Sequence, residues 1–161
     1  MIIIVSGLPG TGKSTFASAL AERLKVEYIN TDIVRKTELT ANYADKNKEA
    51  VYLFILSKIR KGTTMVLDGS FSSEKIRNLF KNKANEMQHT ILLIELTTED
   101  RIVKERISKK REWSDAGYEV YLKVKQQYEP IKEEHLILDS GKLTKEEMLE
   151  SALTYISDHD I

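Results

Sequence analysis

Apolar positions recur along the chain in two alternating rhythms. Short runs of β-branched and aliphatic residues stand at 2–5, 26–29, 63–67, 90–97 and 135–139. Between them, apolar residues return every three or four positions, the spacing of a helix that buries one face. Residues 2–5, Ile-Ile-Ile-Val, have no polar position, which predicts a strand covered on both sides. Phe16, Ala17, Leu20 and Leu24 then form the stripe of a first helix. Asn30-Thr31-Asp32 carries capping chemistry for a further helical turn. Residues 37–47 keep no clean period and read as a connection or a broken helix. Val51, Phe54, Ile55 and Ile59 predict a helix over 48–61 that Gly62 ends. Behind a Ser72-Ser73-Glu74 cap, Ile76, Leu79, Phe80, Ala84 and Met87 predict another. A basic helix opens at Thr98-Glu99-Asp100 and runs to about residue 111. The next, over 118–129, sets Tyr118, Tyr121, Leu122, Lys125 and Tyr128 on one side and stops at Pro130. Met148, Leu149, Ala152, Leu153 and Ile156 line the last, over 144–158.

Strand and helix thus alternate five times, which calls for a parallel sheet with helices on both faces. One α/β domain accounts for residues 1–161. In such sheets ligands sit at the carboxyl ends of the strands. That rule selects residues 7–14, 31–32, 68–70, 97–98 and 139–141 for chemistry.

Composition narrows the function. The chain has 161 residues, 41% hydrophobic and 31% charged, an ordinary globular balance tilted towards charge. Lys plus Arg and Asp plus Glu each number 25, so no global positive field draws in nucleic acid, although a local basic groove is compatible with that balance. There is no cysteine, hence no disulfide framework and no thiolate metal site, which fits a cytoplasmic setting. No stretch approaches the ~18 apolar residues of a membrane span. Oligomeric state is not legible.

The first strand runs into Gly7-Leu8-Pro9-Gly10-Thr11-Gly12-Lys13-Ser14-Thr15 and then a helix. Strand, glycine loop and helix are the context in which G-x-x-x-x-G-K-[ST] is a P-loop. The loop amides and the helix N-terminus would face a polyphosphate, Lys13 would reach the β- and γ-phosphates, and the Ser14 hydroxyl would ligate Mg²⁺. ATP and Mg²⁺ are the expected ligands. Asp68 ends an apolar strand, either as a Walker B carboxylate on Mg²⁺ or as an Asx-turn with Gly69 and Ser70. Asp32 and Arg35 lie three apart on a helical turn: a surface ion pair, or a base for an acceptor hydroxyl with an acceptor-binding arginine. The three histidines share no metal-ligand spacing and read as structural or surface residues.

The P-loop, Asn30-Thr31-Asp32-x-x-Arg35-Lys36, Val66-Leu67-Asp68-Gly69-Ser70-Phe71, the Arg-rich helix and Ser114-Asp115-Ala116 together resemble the small P-loop kinases grouped as AAA-type predicted kinases. These are similar to the kinase domain of polynucleotide 5′-kinases and, more distantly, to zeta toxins, chloramphenicol phosphotransferase and gluconate kinase. The resemblance implies a three-layer P-loop NTPase fold with a five-stranded sheet ordered 2-3-1-4-5 and a small lid over about 106–117. It implies Asp32 as general base, Arg35 on the acceptor, and Asp68 on the metal or acceptor side, with Ser70 and Phe71 lining the acceptor pocket. It also implies Arg106 and Arg111 flanking the lid, with Arg106 closing over the phosphates, and Ser140 and Gly141 passing backbone over the adenine. Trp113 is expected to pack under the lid.

The activity expected is therefore ATP- and Mg²⁺-dependent phosphoryl transfer to a hydroxyl, on a small molecule or a nucleic-acid 5′ end. Nucleoside monophosphate kinases and a nucleotide-bound regulatory or toxin-like protein are the alternatives. A GTPase switch would need an Asn-Lys-x-Asp base reader after the fourth strand. Asn82-Lys83-Ala84-Asn85 falls inside a predicted helix instead.

Overall fold

The computed structural model describes residues 1–38, 48–109 and 115–159. Five parallel strands, β1 (Ile2–Gly7), β2 (Glu27–Asn30), β3 (Met65–Asp68), β4 (Ile91–Thr97) and β5 (Leu136–Asp139), form one sheet in the order β2-β3-β1-β4-β5. This is the order the resemblance implies. Among the described residues seven helices join them: α1 (Lys13–Leu24), α2 (Thr31–Thr37), α3 (Lys48–Lys58), α4 (Glu74–Glu86), α5 (Asp100–Lys109), α6 (Asp115–Gln127) and α7 (Lys145–His159). None of the described helices is long and apolar enough to cross a membrane.

Every residue of β1 is buried, as a central strand with helices on both faces requires. Its odd and even positions go to different cores. Ile2 and Ile4 join Met65, Leu67 and Leu93 beneath Val51 and Ile55 of α3 and Phe80 of α4. Ile3 and Val5 join Val66, Ile94 and Leu138 beneath α1 and α7, through Phe16, Leu20, Leu149 and Ala152. A third, smaller cluster stands apart from the sheet. Val103 and Ile107 of α5 meet Tyr121 of α6, with Leu8 of the glycine loop and Tyr118 against them.

The caps follow the sequence signals with small shifts. Ser73 caps α4 by accepting from the Ile76 amide. Thr144 and Glu147 form a reciprocal capping box at α7: the Thr144 amide donates to Glu147, and the Glu147 amide to Thr144 Oγ1. At α2 the capping residue is Asn30, not Asp32, because its Oδ1 accepts from both the Asp32 and Ile33 amides. The inner face of α4 also departs from expectation. Arg77 is fully buried, whereas Leu79 is only half-buried. Leu122, expected inward on α6, is 40% exposed. Residues 39–47 of the expected broken connection lie outside the described residues.

Candidate active site

The glycine loop leaves β1 at its carboxyl end. Gly7 has φ 146°, and a Cβ there would sit 2.5 Å from the Leu96 carbonyl oxygen on β4. Gly10 has φ 80°, and a Cβ there would meet Val103 of α5 at 2.9 Å. Only glycine permits both the left-handed turn and that close approach. Thr11 closes the loop by donating its hydroxyl to the Leu8 carbonyl at 2.8 Å. Helix α1 then begins behind Gly12 with no side-chain cap and no acidic residue in its first turn. Its leading amides and dipole are therefore left to an anion.

Lys13 lies half-buried at this point, its Nζ 3.4 Å from the Leu8 carbonyl oxygen. Burial pushes its pKa below the usual lysine range, against the opposing pull of the Asp68 and Asp32 carboxylates. Ser14 and Thr15 are exposed on the first turn of α1, and Pro9 is half-buried in the loop.

Asp68 ends β3, in register with Val5 of β1 and Asn30 of β2. Alternation along the strand turns it to the α1 face, where Ser14 stands. The side chain is buried, at 1% exposure. Its Oδ2 accepts from Tyr28 Oη at 2.7 Å and closely from Asn30 Nδ2, while Oδ1 is buried without a hydrogen-bond partner. Burial, then Asp68 itself, raise the Tyr28 phenol to about 12, so it is a donor across the physiological range. Among the described residues no three His, Asp or Glu side chains form a metal cluster. A carboxylate with one unpartnered oxygen, linked to the Ser14 hydroxyl through the shared Asn30 Nδ2, nevertheless fits Mg²⁺, which commonly takes one or two protein oxygens and fills its octahedron with phosphates and water.

Asp32 lies on the first turn of α2 with its side chain 70% exposed, and Arg35 donates to its Oδ1 from Nη1 at 3.0 Å. The Arg35 Nε is buried and unpartnered. Both side chains act electrostatically on the Tyr52 phenol, which burial holds above its ordinary pKa. Tyr52 accepts from the Phe71 amide at 3.3 Å.

Phe71 does not line a pocket. It is fully buried against Tyr52 and Phe80, ring centroids 5.1 and 5.2 Å apart, in a backbone conformation with φ 41°. Arg77 holds it there, donating to the Phe71 carbonyl at 2.9 Å and to the Pro130 carbonyl at 3.2 Å. A phenylalanine in the left-handed region is strained, and the aromatic packing and the arginine over-determine it.

Arg106 sits in the last turn of α5 against the glycine loop. It donates to the Gly10 carbonyl at 3.2 Å, and to the Ser140 hydroxyl and carbonyl at 2.9 Å each. Ser140 in turn donates to the Thr11 carbonyl at 2.6 Å. Gly141 follows, packed so closely that a Cβ would meet Ile102 and Thr98 at 2.6 Å. The β5–α7 turn, α5 and the glycine loop are thus laced together through one guanidinium. Arg111, Lys110, Trp113 and the middle of the expected lid lie outside the described residues. Of that lid, residues 106–109 belong to the last turn of α5 and 115–117 to the first of α6.

The structure therefore gathers Lys13, Ser14, Asp68 and Asp32 at one end of the sheet, with Arg106, Ser140 and Gly141 on the flank. Sequence reasoning passed over Tyr28 and the amide of Asn30. The signal for them was their alternation, 28 and 30, on a strand pairing with the one that carries Asp68.

A parallel sheet of this order, with a Gly-x-x-x-x-Gly-Lys-Ser loop after β1 and a buried aspartate ending the neighbouring strand, defines a P-loop NTPase fold. Within that class the chain belongs to the AAA domain family, whose model matches residues 2–131. It is 27% identical over 118 residues to a UPF0200 protein of Pyrobaculum aerophilum. That match covers 66% of this chain and 64% of the relative, so the chain spans less than two thirds of the relative's length. Two solved structures share its fold. A gluconokinase from Sinorhizobium meliloti superposes with TM-score 0.76 at 18% identity, over 97% of this chain and 91% of that one. Kti12 of Chaetomium thermophilum, solved with ADP-AlF3, gives 0.72 at 15% identity, over 96% and 98%. The fold is kinase-like.

Proposed function

We propose that this protein is an ATP- and Mg²⁺-dependent phosphotransferase that moves the γ-phosphoryl group to a hydroxyl acceptor. The carrying observation is the Asp68 carboxylate, buried on the α1 face beside Ser14 with one oxygen unpaired. A strand-end aspartate engaged only in an Asx-turn would instead turn its oxygens to the following amides.

In this reading the loop amides and Lys13 hold the β- and γ-phosphates. Ser14 and Asp68 hold Mg²⁺, which supplies charge neutralisation at the transferring group. Asp32, exposed on the acceptor side, aligns the hydroxyl and accepts its proton. The new P–O bond then forms in line with the breaking bond to ADP. Arg35 orients the carboxylate and presents its remaining N–H groups to the acceptor. Arg106 braces the glycine loop and, with Ser140 and Gly141, walls the base-binding flank. The acceptor is a small alcohol or a nucleic-acid 5′-hydroxyl, and the gluconokinase fold relative supports the former.

The test is ATP consumption screened against sugars, nucleosides, nucleotides and 5′-hydroxyl oligonucleotides. One acceptor class should stimulate turnover. Asp32→Asn should retain ATP binding within roughly twofold and lower transfer at least about 100-fold. Equal loss of binding and transfer would assign Asp32 a structural part instead.

A further inference from the structure

We propose that Asn30 is a positioning residue that sets the metal-side carboxylate and the acceptor-side helix in one frame, with Tyr28 as its partner. The proposal rests on the phosphotransferase reading and deepens it. Asn30 stands at the last position of β2, register partner of Asp68 on β3, so both side chains leave adjacent strands towards the same face.

Its amide has two sides with opposite requirements. Oδ1 accepts from the Asp32 and Ile33 amides at 2.9 and 3.0 Å, capping α2. Nδ2 faces Asp68 Oδ2, the Tyr28 hydroxyl at 3.2 Å and the Ser14 hydroxyl at 3.4 Å. The reverse orientation would press NH₂ against two N–H donors and a carbonyl oxygen against a carboxylate, so the network fixes the orientation. One planar group therefore touches both residues assigned to Mg²⁺, Asp68 and Ser14, and holds the backbone of Asp32.

The consequence for Asp68 is specific. Tyr28 and Asn30 both donate to Oδ2, which pins the carboxylate and leaves Oδ1 as the oxygen without a partner. A carboxylate free to rotate would offer its two oxygens interchangeably and lose orientation on each exchange. Partners that orient a metal-ligating group typically change metal affinity 10–100-fold when removed.

Serine caps helices as well as asparagine but is too short to reach a neighbouring strand's carboxylate, so Asn30→Ser separates the two duties. The experiment titrates MgCl₂ into full-length protein with a fluorescent ATP analogue, beside nucleotide binding in EDTA and thermal melting. Asn30→Ser should raise the Mg²⁺ midpoint roughly tenfold, while metal-free nucleotide affinity and melting temperature stay close to the wild type. Tyr28→Phe, which keeps the ring and removes one donor to Oδ2, should raise the midpoint several-fold. It carries the test if Asn30→Ser does not fold. Unchanged Mg²⁺ midpoints in the folded variants would overturn the proposal, as would a fall in melting temperature with no Mg²⁺ effect. A wild-type protein that binds no nucleotide would instead overturn the phosphotransferase reading on which the proposal stands.

Discussion

Lys13 is held in the fold against its own solvation. Burial lowers its pKa, with Asp68 and Asp32 pulling the other way. A lysine whose folded pKa lies below its unfolded value destabilises the fold when protonated. That cost is fully present below the folded pKa and disappears as pH rises from there through the unfolded one. Lys13→Met should therefore raise the melting temperature of the nucleotide-free protein at pH 7 while abolishing ATP binding. A fall in melting temperature would show that the ammonium stabilises the empty loop. At this scale the loop was legible because its chemistry lies within nine consecutive residues. The clamp on Asp68 was not, because residues 28 and 30 meet residue 68 only through strand register. Buried Arg77 was likewise hidden: a cation one residue after Ile76 carries no sign that two carbonyls await it.

At the scale of elements, α5 and α6 form a unit of their own. Val103, Ile107 and Tyr121 bury one another against Leu8, outside both sheet-face cores. Asp100, at the start of α5, accepts from Tyr121 at 2.5 Å and from Lys125 at 2.6 and 2.7 Å. These bonds, Lys125 first, hold its carboxyl below the usual aspartate range. A depressed carboxyl pKa contributes stability above the unfolded value, ~3.9, that is lost as pH falls through the folded one. Both partners are half-exposed, so the effect is modest. Asp100→Asn should speed amide exchange in α5 and α6 roughly two- to five-fold at pH 7, with no such difference well below pH 3. Uniform acceleration across the sheet would contradict this local role. Element positions were largely legible from periodicity. The inward face of α6 was misread at Leu122, because a helix packing on another helix through two tyrosines needs a narrower stripe than one lying on a sheet.

At the scale of the molecule, strand order could not come from periodicity. Each strand needs only two neighbours, and several permutations would bury the same residues; motif resemblance supplied the arrangement that the structure has. That order brings the ends of β1, β2 and β3 together and puts the β5–α7 turn on the other flank. Ligand binding to that end should stabilise the whole fold. At a free concentration of about 100 Kd, Mg²⁺-ATP contributes ~2.7 kcal/mol, or about 5–10 °C in melting temperature for a chain of this size. The shift should vanish in Lys13→Met. A shift of equal size in that variant would mean that the nucleotide binds elsewhere.

The strained turn at Phe71 carries one last implication, for anyone wishing to re-engineer such a fold. Residues after β3 look like an independent cassette that could be exchanged between homologous scaffolds. They are bolted from underneath by a guanidinium rooted in α4, itself steadied by the carbonyl of Pro130 beyond α6. A transplant that swapped positions 69–73 alone would discard that foundation. Arg77 has to travel with the insert, and the host must offer a main-chain carbonyl where residue 130 stands.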